Sequence, residues 1–317
     1  MTADAVVLRP EPKLRSYARL AKLDVFDYYL SVPLVLAAVS AQAGRLDLGV
    51  LPMLLAFGLG EVCVLAALVA LDDLTGYRDG SDIANYAPDA PLRRKLRKPL
   101  VAGTLTEREV AGFATAAAAA GGLLWTVAVA LAPHRPVWLV VAIAVLFVIS
   151  LQYSYGIKLS YHGFQELFIA ALGWALVLAP YALVTGGASA FVVTQALLFG
   201  LGPLLFGVYS NTNDIEGDRG IGRPTVAALV SPTANAVFIG ALSAAEFAIV
   251  LTATVAGFAP WWFVPLMLPV TVLRAAQWYT GFRRGDIMRA RRMGFTIHRV
   301  STVLLIAASV LLVGTAA

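Results

Sequence analysis

Two short stretches gather residues able to hold a divalent cation. Asp72, Asp73, Asp79 and Asp82 fall within eleven residues, and Asp214, Glu216 and Asp218 within five. Together they hold seven of the 19 carboxylates in the chain, and each stretch follows a long apolar run. Clustered carboxylates offer the hard oxygen ligands that magnesium prefers, and magnesium held by one or two of them keeps sites for phosphate oxygens. Asp214 and Asp218 are one helical turn apart, so their carboxylates can project from one face and share an ion. Asp72 and Asp79 would share a face if a helix ran on through them, while Gly76 and Gly80 let the loop fold Asp82 back. The chemistry these acids suggest is the handling of a lipid diphosphate.

The elements that carry them must lie in a membrane. Of the 317 residues 59% are hydrophobic and only 14% charged, and the mean hydropathy is +0.78, values of a polytopic membrane protein. Nine apolar stretches, at 26–43, 50–71, 109–131, 136–155, 165–186, 189–210, 233–256, 260–280 and 299–316, are long enough at 1.5 Å per residue to cross a hydrocarbon core about 30 Å thick. Backbone polar groups in lipid must be satisfied within the segment, so the expected fold is an all-α integral membrane bundle of nine transmembrane helices. Residues 1–25 form a cytoplasmic N-terminal segment without the pattern of a cleaved signal peptide, and 26–317 a single transmembrane domain.

Lysine and arginine set the expected orientation. With the N-terminus inside, Arg9, Lys13, Arg15, Arg19, Lys22 and clusters such as Arg93-Arg94-Lys95 and Arg289, Arg291, Arg292 all fall on the cytoplasmic side, against Arg45 and Arg135 opposite. This is the positive-inside pattern, and it accounts for the net charge of +5 without invoking nucleic acid. It also places both acidic segments at cytoplasmic helix ends. The plasma membrane of a bacterium is the expected location.

These residues carry a resemblance. The second segment, Asp214-Ile-Glu-Gly-Asp218-Arg219-Gly-Ile-Gly222-Arg223-Pro-Thr225, is a complete match to the second aspartate-rich signature of the UbiA superfamily of intramembrane prenyltransferases, D-x-x-x-D-R-x-x-G-[KR]-x-T. Lys98-Pro99-Leu-Val-Ala-Gly103-Thr-Leu-Thr is similar to that family's R-P-L-x-x-G loop, and Tyr153-Ser154-Tyr-Gly-Ile-Lys158 to its Y-S-x-x-x-K segment. The run Leu159-Ser-Tyr161-His162-Gly163-Phe-Gln-Glu166-Leu resembles menaquinone-type naphthoate prenyltransferases. The first segment departs from the pattern N-D-x-x-D-x-x-x-G-x-D: Asp73, Gly80 and Asp82 match, Asp72 replaces the asparagine, and Gly76 stands where the central aspartate is expected.

The resemblance implies a Mg2+-dependent enzyme that ionises an isoprenoid diphosphate and passes the prenyl group to an aromatic or quinone-type acceptor. The magnesium ligands are then Asp73, Asp82, Asp214 and Asp218, with Asp72 and Asp79 beside them, and Lys98, Lys158, Arg219 and Arg223 contact the diphosphate. Tyr153 shields the allylic cation or bonds the diphosphate, and Asn211 and Asn213 are substrate or supporting groups. Ionisation puts charge on the leaving diphosphate, which metal and preorganised cations stabilise where water is excluded.

Glu61 and Glu246 lie about half way along apolar stretches and Glu166 at the start of one. Such acids face a bundle interior or a cavity, giving Glu61 and Glu246 a packing or acceptor-pocket role and Glu166 an acceptor-facing one. Cys63 reads as a small buried hydrophobe, and no zinc-type Cys/His spacing or nucleotide-binding P-loop occurs. A secondary transporter would place its charges at midplane, and a CDP-alcohol phosphotransferase would need its aspartates in one continuous motif. A membrane terpene cyclase of the same superfamily, which ionises the same diphosphate and lets an internal double bond be the nucleophile, is the rival that the aspartates leave open.

Overall fold

A computed structural model of the chain describes residues 12–23, 25–85 and 97–316. The described residues are helical, with turns and short connections between. In order they are α1 (Lys13–Leu20), α2 (Ser31–Ala43), α3 (Leu51–Arg78), α4 (Ser81–Asn85), α5 (Glu107–Leu131), α6 (Val137–Leu151), α7 (Gln165–Thr185), α8 (Ala190–Asn213), α9 (Ile215–Gly220), α10 (Val226–Leu229), α11 (Pro232–Val255), α12 (Phe263–Trp278) and α13 (Ile287–Ala316). Single turns of tighter or wider helix occur at Leu48–Val50, Leu159–His162 and Tyr279–Arg283. A helix occupies each of the nine apolar stretches. Six, namely α3, α5, α7, α8, α11 and α13, are long and apolar enough to cross a membrane, while α2 and α6 are apolar but shorter.

Several boundaries differ from the sequence expectation. Helix α3 runs seven residues past the expected end at 71, through Gly76 to Arg78, because the following residues still satisfy one another's backbone groups. Helix α13 begins at Ile287 rather than 299, so Arg289, Arg291 and Arg292 are helical. Arg9 and the Arg93-Arg94-Lys95 cluster lie outside the described residues.

Burial separates the helices into inner and outer ones. α3 and α8 bury 67% and 72% of their apolar windows, against 22% for both α5 and α11. The two inner helices are the ones whose C-terminal ends lead into the acidic segments. Lipid supplies no hydrophobic drive between helices, so close approach of backbones does much of the packing. Gly173 of α7 and Gly200 of α8 meet this way: a Cβ on Gly173 would sit 2.6 Å from the Gly200 Cα. α3 is locked to α5 by Trp125, whose ring stacks on Phe57 at 5.3 Å and whose indole N–H donates to the Phe57 carbonyl (3.1 Å).

The two mid-span acids are both tied up by protein. Ser31 Oγ donates to Glu61 Oε2 (2.6 Å) at the start of α2. Glu246 takes a two-pronged contact from Arg274 of α12, Nε to Oε2 at 2.8 Å and Nη2 to Oε1 at 3.2 Å. Arg274 also bonds Gln277 Oε1, and Gln277 Nε2 reaches the carbonyls of Leu205 and Ala290. This fully buried network braces α8, α11, α12 and α13 against one another, so packing is the role that the structure supports for both acids.

Candidate active site at the acidic end of the bundle

The first segment is shaped by the way α3 stops. Asp79 caps the helix, Gly80 takes a φ of +83° open to glycine without strain, and α4 starts at once. This sharp turn lays the Asp82 carboxylate over Gly76, where an added Cβ would lie 2.9 Å from Asp82 Cγ and Oδ2. Asp82 therefore fills the space that a side chain at 76 would need. Asp79 turns away, its Oδ1 accepting from the Ser81 amide (3.0 Å) and its Oδ2 from the Tyr161 hydroxyl.

Cations fill the gaps between these acids. Lys98 Nζ lies 2.7 Å from Asp73 Oδ1 and 2.8 Å from Asp82 Oδ2. Lys22, from the turn after α1, lies 3.4 Å from Asp73 Oδ1 and 3.9 Å from Asp72 Oδ2. Arg223 crosses from the second segment to the first, its Nη2 3.1 Å from Asp72 Oδ1 and also bonding Ser154 Oγ (2.9 Å) and Ser160 Oγ (2.8 Å). Ser154 Oγ itself donates to Asp72 Oδ1 (2.6 Å). Lys158 Nζ and the Arg223 guanidinium both lie over the Tyr161 ring, 5.0 Å and 4.9 Å from its centre. Lys158 also lines a cavity of about 240 Å³ with Thr75, Arg78, Asp79, Tyr155 and Gly156.

The second segment is arranged along successive turns. α8 ends in Asn213, Asp214 caps it, and α9 carries Asp218 one turn on, with the Asp218 amide donating to the Asp214 carbonyl (2.9 Å). Asn213 Nδ2 donates to Asp214 Oδ1 (2.9 Å), and Thr225 Oγ1 donates to Asp218 Oδ2 (3.0 Å) while capping α10. Asn211 is buried between Gln165 and Glu166. Tyr153 is buried against Phe168, ring centres 4.8 Å apart. α9 packs on α4, so the helices bearing Asp218 and Asp82 touch.

Nine of the twelve site residues expected from sequence thus meet at one end of the bundle: Asp72, Asp73, Asp82, Lys98, Tyr153, Asn211, Asp214, Asp218 and Arg223. Lys158 and Asp79 flank that group through Tyr161. Arg219, expected on the diphosphate, is exposed and donates Nε to the Ala228 carbonyl of α10 (2.8 Å), its two amino groups taking no part in that bond. Lys22, Ser160, Tyr161 and Thr225 join the site without having been assigned roles from sequence. Lys22 carried no usable signal, since it is one of five basic residues in a segment 50 residues from Asp72.

Burial governs the charge state here. It pushes the Asp82 carboxyl up to about 6 against the pull of Lys98, and Asp218 up to about 6 against the pull of Arg223. Asp79 moves the other way: burial would raise it, but the bonds from Tyr161 and Ser81 hold it below the ordinary carboxylate range. Among the described residues no three acidic, His or Cys side chains converge into a ready-made metal cage. Still, Asp73 Oδ2 is buried without a hydrogen-bond partner, an orphan oxygen of the sort a cation satisfies. The donor set is all oxygen, which suits magnesium.

Residues 30–300 match the sequence profile of the UbiA prenyltransferase family. The chain belongs to that family. UbiA structures share its fold: a UbiA homologue of Aeropyrum pernix K1 in its apo form aligns with a TM-score of 0.65 at 15% identity, over 88% of this chain and 97% of that one. A UbiA homologue of Archaeoglobus fulgidus bound to DMAPP and Mg2+ aligns with a TM-score of 0.64 at 15% identity, over 94% and 99%. A digeranylgeranylglyceryl phosphate synthase aligns with a TM-score of 0.62 at 13% identity, again over 94% and 99%. Among curated protein sequences none matches the chain. As a UbiA protein it is an integral, multi-pass membrane protein of prenyltransferase type.

Proposed function

We propose that this UbiA protein is a Mg2+-dependent prenyltransferase that ionises an isoprenoid diphosphate and transfers the prenyl group to an aromatic or quinone-precursor acceptor. The observation that carries the reading is the meeting of Asp73, Asp82 and Asp218, on helices that touch, with the cations Lys22, Lys98 and Arg223 set among them. The A. fulgidus homologue, of the same fold, was solved with DMAPP or GPP and Mg2+, which supports the same class of substrate here.

Asp73, Asp82, Asp214 and Asp218 would hold magnesium, whose positive charge offsets that developing on the diphosphate oxygens. Asp72 and Asp79 then act at one remove, Asp72 by fixing Arg223 and Asp79 by fixing Tyr161. Lys98, relieved of two carboxylates, joins Lys22, Lys158 and Arg223 in contacting the leaving diphosphate. Tyr153, buried between the acids and Phe168, shields the allylic cation from water. The prenyl chain lies in the bundle between helices, and the site faces the cytoplasm of a bacterial cell in the orientation that the basic residues favour.

Purified enzyme incubated with farnesyl, geranylgeranyl and longer diphosphates, with and without aromatic acceptors, tests this by product mass spectrometry. A prenylated acceptor, formed only with Mg2+, is the expected result. A terpene hydrocarbon or alcohol formed without acceptor would move the chain to the cyclase branch of the superfamily.

A further inference from the structure

Among the described residues, the non-glycine residues with positive φ are Lys22 (+54°) and Lys158 (+52°), two of the cations at the acidic end of the bundle. A lysine in the left-handed region carries a cost that glycine avoids, and such conformations persist at ligand clamps where the surroundings hold them. What holds Lys158 is the tight turn that it caps, Leu159–His162. The Tyr161 amide donates to the Lys158 carbonyl (2.8 Å). A bond between residues three apart eclipses their side chains, which brings Lys158 Nζ over the Tyr161 ring at 5.0 Å from its centre. Among the described residues Lys158 Nζ makes no hydrogen bond or ion pair. Its three N–H donors are unspent, and Lys158 borders the cavity of about 240 Å³.

Arg223 reaches the same ring from the second acidic segment, its guanidinium 4.9 Å from the ring centre. Its Nη2 is committed to Asp72, Ser154 and Ser160, while its Nε is buried with no hydrogen-bond partner. The ring is itself oriented, because the Tyr161 hydroxyl donates to Asp79 Oδ2. An aromatic face attracts a cation most strongly where water is scarce, and Lys158 and Tyr161 are both half-buried. Two like charges gathered at one place repel each other. The ring offsets that repulsion, so both cations stay in place with donors left over for an anion.

We infer that Tyr161 is a positioning residue for the diphosphate: its ring holds Lys158 and Arg223 together as one anion-binding pair, and Asp79 orients the ring. The inference rests on the isoprenoid-diphosphate reading above. Tyr161 touches neither substrate nor magnesium. It acts through the two cations, so it sets diphosphate affinity and leaves the metal requirement alone. The ring matters more than the hydroxyl, whose bond to Asp79 only steers it.

The test measures equilibrium binding of geranylgeranyl thiolodiphosphate, a non-reactive analogue, to the full-length protein in lipid nanodiscs with Mg2+. Tyr161→Leu removes the ring and should weaken binding roughly tenfold, the effect of two cation–π contacts of ordinary size, with the Mg2+ concentration for half-maximal binding unchanged. Tyr161→Phe keeps the ring and should cost about threefold. Lys158→Met should also weaken binding roughly tenfold, and adding Tyr161→Leu to it should cost clearly less than in wild type, because one of the two contacts is already gone. Phenylalanines bearing one, two or three ring fluorines at position 161 keep the shape while draining negative charge from the ring face, and affinity should fall stepwise along them. That series decides the matter even where Tyr161→Leu does not fold. Equal affinity along the fluorinated series, full additivity of Tyr161→Leu and Lys158→Met, or a Tyr161→Phe as weak as Tyr161→Leu would overturn the inference. Wild-type protein that binds no thiolodiphosphate overturns the diphosphate reading itself, and is told apart because it fails without any substitution.

Discussion

In the first acidic segment most carboxylates already hold a counter-charge or a hydroxyl: Asp73 and Asp82 share Lys98, Asp72 has Arg223 and Ser154, and Asp79 has Tyr161. In the second, among the described residues, Asp214 takes the side-chain amide of Asn213 and Asp218 the hydroxyl of Thr225, both neutral donors. The difference has an electrostatic origin. The first segment packs four acids at the end of a helix whose exposed carbonyls are already negative, and desolvated like charges must be neutralised within the fold. The second has three acids against four. A cation entering the first segment would take over from Lys98 and Lys22, which lie in ion-pair contact with Asp73, whereas in the second Arg223 acts on Asp218 without such a contact. The segment that departs from its family pattern is therefore the one whose protein cations must move.

The strongest test of this contrast removes one acid from each side. Asp73→Ala and Asp218→Ala should each lower turnover roughly 10²–10³-fold in a Mg2+-saturated assay, as loss of a main electrostatic stabiliser does. Full turnover in Asp218→Ala would reject the metal assignment. Next in size is Lys98→Met, which leaves Asp73 and Asp82 facing each other; kcat should fall about 10–100-fold, while Thr225→Val, its counterpart in the second segment, should cost less than about tenfold. Equal losses would erase the distinction drawn between the segments.

Gly76→Ala probes the first segment alone. Its methyl group meets the Asp82 carboxylate, so the Mg2+ concentration for half-maximal rate should rise about tenfold, within the range of a disturbed ligand support. An unchanged Mg2+ titration would show that Asp82 has room to spare.

Acidity gives a smaller, graded effect. Asp82 and Asp218 sit at about 6 rather than 3.8, so below that pH a divalent ion must displace protons from both. The Mg2+ requirement should climb as pH falls through about 6 and level off above about 7. The sign for stability is opposite. Groups whose folded values are raised favour the metal-free fold most below about pH 4, and lose that contribution as pH rises through about 6. Thermal melts of metal-free protein across this window, with and without Mg2+, check both.

The smallest effect on substrate constants is expected away from the site. Glu246→Gln leaves the buried Arg274 charge without its counter-ion, which should destabilise the fold by about 3–5 kcal/mol while KM values hold. A changed diphosphate KM in folded Glu246→Gln protein would tie the α11–α12 network to the site.

Much of this was legible before any coordinates. Glu246 and Arg274 are opposite charges in the interiors of consecutive apolar stretches, and reading the two stretches together pairs them; read singly, Glu246 fits packing and an acceptor pocket equally. The run through Gly76 was harder, since glycine at a helix end signals termination as readily as close packing, and here the packing of Asp82 decided. Arg219 shows the converse. Its place in a matched motif points to diphosphate, and the fold adds a bond from its Nε to the Ala228 carbonyl that the motif does not announce.

Composition and motif order were enough to establish a helical membrane protein of the UbiA type and to nominate the aspartates, because hydrophobic length and short-range spacing are properties of the chain itself. Which aspartates are already neutralised, that Lys22 reaches Asp72 and Asp73, and that Asn211 bonds both Gln165 and Glu166 were decided by the tertiary structure alone. Hydrogen bonding and ion pairing depend on distances of a few ångströms between residues far apart in sequence, and only the packed bundle sets those distances.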